Sequence, residues 1–152
     1  MRRTSSWYPP PREGRENAAL RKVLLPVVRR HKVDLVLQGH DHTYGRRGEG
    51  QAATPQYVVT VAGPKQYRLS DEARRTMDPV GEDTQLFQVL RIDPQRLRYA
   101  ARTVTGRLYD AFELKRDDNG GKQRVEQQEG RIAPRDCARA QTAKGRTDRC
   151  WE

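Results

Sequence analysis

The sequence predicts an α/β domain, and three observations carry that prediction. An amphipathic helical pattern runs directly into a short apolar strand. Turn-forming residues then divide the second half into strand-length segments. Past Asp117 the apolar pattern stops.

Residues 1–14 read as an unstructured lead, because Pro9, Pro10, Pro11 and Gly14 deny helical continuity. From Asn17, an N-cap by residue type, Leu20, Val23, Leu24, Val27 and Val28 recur on one helical face. Pro26 removes an interior hydrogen bond, so the helix is expected to kink or restart there. Arg29, Arg30 and Lys32 put positive charge where it suits the helix dipole, and His31 reads as a surface or dipole histidine.

Val33-Asp34-Leu35-Val36-Leu37 is apolar on both faces except for Asp34, which predicts an interior strand of a covered sheet. Asp34 itself reads as a buried acceptor with no catalytic role. Residues 47–55 read as a loop. Residues 56–62 form a strand stopped by Gly63-Pro64, and residues 65–83 read as irregular with a helical turn near Ser70–Arg75. Segments 84–93, 97–105 and 108–115, separated by Asp93-Pro94 and Thr105-Gly106, predict an antiparallel meander. Within it Leu97, Tyr99 and Ala101 alternate with Arg98, Ala100 and Arg102, one face buried and the other wetter. Tyr57, Phe87, Tyr99 and Phe112 are expected in the core. Residues 117–152 hold few large apolar side chains and are expected to be mostly disordered. The predicted organisation is therefore a lead (1–14), a domain (15–116) and a basic tail (117–152).

Composition narrows the classes of function. The 152 residues carry 30 basic and 20 acidic side chains, a net charge of +10, and 34% hydrophobic residues. No run approaches the roughly 20 apolar residues of a membrane span. The basic N-terminus has no apolar stretch behind it and does not read as a signal peptide. The basic excess suits a phosphate-bearing partner, either a phosphate ester or nucleic acid, but the arginines are dispersed rather than blocked. Cys137 and Cys150 form no C-x-x-C pair, and could equally close a small loop or stay free.

The residues best suited to chemistry are Gly39-His40-Asp41-His42, at the carboxyl end of the predicted strand, where ligands of α/β sheets collect. Two imidazoles two residues apart on a turn can serve one pocket, and neutral imidazole is the commonest nitrogen ligand for borderline metals. Gly39 permits a tight turn, and Asp41 is placed to orient a ring through its second nitrogen. Tyr44 and Arg46 follow as candidates for a phosphate pocket, since Arg binds phosphate bidentately.

The stretch from Val33 to Tyr44, with its Gly-His-Asp-His core, resembles the last signature motif of the calcineurin-like metallophosphoesterases, near the purple acid phosphatase branch. Tyr57–Lys65 is similar to the family's next strand and Thr103–Leu114 to a closing hairpin, so the resemblance spans about residues 15–116. It implies the C-terminal portion of a two-sheet sandwich flanked by helices: helix, strand, Gly-His-x-His loop, then mostly antiparallel strands. It also implies a metal-dependent phosphoester hydrolase with two divalent or trivalent metals of the Fe, Mn or Zn type, His40 and His42 serving one metal each. Relatives of this kind are often exported.

The chain departs from the family in lacking the Asp-x-His, Gly-Asp-x-x-Asp and Gly-Asn-His motifs, and its histidines are only His31, His40 and His42. Two imidazoles cannot hold two metals. The expectation is an incomplete site that hydrolyses little alone. The other readings are a basic nucleic-acid-binding module and a non-catalytic pseudo-enzyme scaffold.

Overall fold

The computed structural model describes residues 17–49, 55–117 and 119–137. The lead at 1–14 and the end of the chain from 138 lie outside them. The described residues form a mixed α/β fold dominated by two four-stranded sheets.

Helix α1 (Ala18–Arg30) starts as expected, with Asn17 Oδ1 accepting from the Leu20 amide at 3.0 Å. It runs unbroken through Pro26, against the expected restart. Pro26 and Lys22 are both exposed, so water can replace the partner that the Lys22 carbonyl loses. No residue of α1 is buried, and Val23 and Val27 of its apolar stripe remain exposed.

The first sheet has the order β1-β3-β2-β4, made of β1 (Leu35–Gln38), β2 (Tyr44–Gly48), β3 (Gln56–Val59) and β4 (Val80–Gly81). β1 pairs parallel with β3, while β2 pairs antiparallel with β3 and β4. The expectation of an interior strand at Val33–Leu37 is corrected. β1 is an edge strand among the described residues, starts two residues later, and leaves Leu37 47% exposed. The Val33 amide is still occupied by the helix exit, donating to the Val28 carbonyl. Asp34 is half-buried and ion-paired with Arg116 and Lys122, rather than a buried acceptor.

Helix α2 (Asp71–Thr76) matches the expected turn, capped by Ser70 Oγ on the Ala73 amide at 3.0 Å. The meander is also as expected. β5 (Leu86–Ile92), β6 (Arg96–Thr103) and β7 (Leu108–Arg116) pair antiparallel in sequence order. Tyr44 and Val58 of the first sheet share one core with Leu86, Tyr99, Ala101, Tyr109, Phe112 and Leu114 of the second. Phe87 is the exception to the expected core: it lies opposite Arg102 and is 42% exposed.

The expected disorder after residue 117 is corrected for residues 119–137. β8 (Lys122–Glu126) adds a fourth strand beside β7. The connecting turn is built by Asp117 Oδ1, which accepts from the Asn119 and Gly121 amides, with Gly120 at φ 76°. Beyond β8, the Ile132 amide donates to Leu108, the Arg135 amide to Tyr109 Oη, and the Cys137 amide to Glu82 Oε2 at 2.7 Å. Polar pairing, which a hydrophobicity argument overlooks, orders this segment together with Ile132, which packs against the shared core. Cys137 is disulfide-bonded.

Candidate metal-ligand loop

β1 ends at Gln38, and its parallel pairing with β3 directs the chain into the loop 39–43. Four non-glycine residues of the described set have positive φ, and two of them are His40 (81°) and His42 (53°). The tight bend thus falls on the histidines themselves rather than on Gly39, which is exposed and has open space where a Cβ would stand.

His42 is held from one side. Its Nδ1 lies 2.9 Å from the Lys65 carbonyl, which can only accept, so Nδ1 carries a proton and, in the neutral tautomer, Nε2 bears the lone pair. The Tyr67 amide donates to the His42 carbonyl at 3.1 Å, and the Tyr67 ring meets the imidazole edge-on at 5.3 Å. The Lys65 ammonium sits 5.1 Å over the Tyr67 ring. The segment 65–67, irregular in backbone, is the strap that orients this imidazole. The expectation that Asp41 orients a ring is corrected for His42, whose Nδ1 partner is a backbone carbonyl. Asp41 is fully buried and His40 is exposed.

Tyr44 and Arg46 do not join the loop in a phosphate pocket. Both are buried and lead between the sheets. Tyr44 Oη donates to Asp110 Oδ2 at 2.7 Å, as does Arg46 Nε, and Arg46 also pairs with Glu126 at 2.8 Å. Burial raises the Tyr44 phenol well above its ordinary pKa, helped by Tyr99 and the Asp110 charge. Burial opposes the Arg46 charge, but Asp110 and Glu126 outweigh it and hold the guanidinium above its usual value. No local pattern shows that Arg46 has acidic partners 64 and 80 residues away, the buried Asp110 and the partly exposed Glu126.

The donor set does not fit a two-metal centre. Among the described residues no three His, Cys, Asp or Glu side chains gather as a metal-holding group, and a catalytic zinc usually takes three protein ligands. His42 meets the local requirements of a ligand, with an oriented ring and Nε2 on the side away from Lys65. Arg74, Arg96, Arg98, Arg124, Arg131 and Arg135 all pair with carboxylates of the fold, which leaves the net excess of +10 unchanged. A cavity of about 1190 Å³, bounded by Gln66, Arg74, Tyr109 and Arg135, includes neither histidine. Comparison of the chain with protein-family models, with curated proteins and with solved structures finds no match.

Proposed function

We propose that this chain is the C-terminal part of a calcineurin-like metallophosphoesterase domain, in which His40 and His42 contribute imidazoles to a metal centre for phosphoester hydrolysis. The carrying observation is the orientation of His42: a backbone carbonyl holds its Nδ1 proton and leaves Nε2 available at the carboxyl end of β1. The positive φ of both histidines supports the reading, because strained backbone concentrates at functional sites. In the complete domain the resemblance implies a metal-activated water as the nucleophile. The residues described here would supply too few ligands for that, so the isolated chain is read as incompetent in turnover. The disulfide at Cys137 supports an oxidising compartment.

Zinc titration of the 152-residue chain by calorimetry tests this. The expected result is weak binding that falls roughly tenfold or more in His42→Ala and disappears in His40→Ala/His42→Ala. Unchanged zinc affinity in the double variant overturns the ligand assignment and leaves a scaffold without catalysis. Turnover of an aryl phosphate well above background by the unmodified chain overturns its incompetence.

A further inference from the structure

A second site lies at the opposite end of β2 from the histidine loop. A cavity of about 310 Å³ opens between β2 and β8, lined by Arg46, Arg47, Arg124 and Arg131 with Asp78 and Glu126. The interior of this cluster is richer in cations than in anions. Three guanidiniums, Arg46, Arg124 and Arg131, share the carboxylates of Asp110 and Glu126.

Donors exceed acceptors in the same place. Arg46, its side chain only 3% exposed, directs Nε and both terminal nitrogens at Asp110, Glu126 and Gln56. Arg131 reaches Asp110, Glu126 and the Ala111 carbonyl through one terminal nitrogen, while its Nε is buried with no acceptor. Glu126 also lines the cavity, but its carboxylate is shared among Arg46, Arg124 and Arg131. Asp78 is exposed at the edge.

We propose that this cavity binds a small oxyanion, a phosphoryl or carboxylate group. Such a group brings the missing negative charge and several acceptor oxygens, and its geometry matches the guanidinium fork. The proposal is independent of the histidine loop and needs no metal.

Calorimetric titration of the full chain with inorganic phosphate, and separately with acetate, at fixed ionic strength tests it. Saturable binding of either anion is expected, and the anion that saturates names the ligand class. Arg124→Gln and Arg47→Gln should each weaken that binding roughly tenfold, with folding checked by circular dichroism. Arg91→Gln, on the outer face of the second sheet, should leave it unchanged. Absence of saturation with both anions overturns the site. So does equal weakening by Arg91→Gln, which would mean attraction to diffuse charge.

Discussion

The guanidinium of Arg46 on β2 and the carboxylate of Asp110 on β7 meet at 2.7 Å in the interior, joining the two sheets by a buried ion pair. Asp110 also accepts from Tyr44 and Arg131, and the Arg46 guanidinium lies 5.0 Å from the Phe112 ring centroid. Removing one partner strands the other in a medium that solvates charge poorly. Arg46→Met is therefore expected to cost roughly 3–5 kcal/mol of stability. Arg46→Met/Asp110→Asn should recover part of that loss. Denaturant melts of the two variants check the coupling.

Acid should loosen the same network through Glu126. Partial burial opposes its charge, but Arg46, Arg131 and Arg124 outweigh that and hold its pKa below the ordinary 4.5. The contribution to stability is complete above 4.5 and is lost as pH falls through the lower folded value. Melting temperature should thus decline below that pH, and Glu126→Gln should flatten the decline.

Alkali should act through the tyrosines. Burial, reinforced by Asp110, pushes the Tyr109 phenol up to about 12, and burial also raises Tyr44 and Tyr99. Folding favours their protonated forms, so stability is full below the ordinary value of 10.0 and falls as pH rises beyond it. In a spectrophotometric titration, at least these three of the six tyrosines should ionise only together with unfolding. Reversible ionisation of all six near their ordinary pKa would contradict the packing.

Gly81 on β4 has no room for a side chain. A Cβ there would stand 2.7 Å from Tyr109 Oη and 3.1 Å from Tyr44 Cβ. The Tyr109 hydroxyl cannot easily yield, since it donates to the Val80 carbonyl at 2.7 Å and accepts from the Arg135 amide at 2.8 Å. Gly81→Ala should cost roughly 1–3 kcal/mol. In a double-mutant cycle, Tyr109→Phe should absorb part of that cost by freeing the space.

What was legible in the sequence had a local physical signal. The cap at Asn17 and the turn near Ser70 are written in residue type, and the alternation along β6 shows its buried face directly. The Gly-His-x-His loop could be placed at a strand end because the apolar run stops there. β2 was not legible, because Tyr44-Gly45-Arg46-Arg47-Gly48 shows no apolar alternation. Its burial depends on carboxylates far along the chain. β8 and the segment to residue 137 escaped for the same reason, being ordered largely by ladder bonds and ion pairs, with Ile132 the one large side chain there packed against the core.

By itself the sequence determined a mixed α/β chain with one capped helix, a meander, and paired histidines at the end of a strand, since those features follow from short-range periodicity and turn chemistry. Only the tertiary structure decided that Arg46 and Tyr44 serve the interior rather than the histidine loop. It also decided that Lys65 orients His42, and that the arginines at the β2–β8 junction surround a cavity. Each of these depends on the position of a charge or hydrogen-bond partner that lies distant in sequence, and chain folding alone brings the two together.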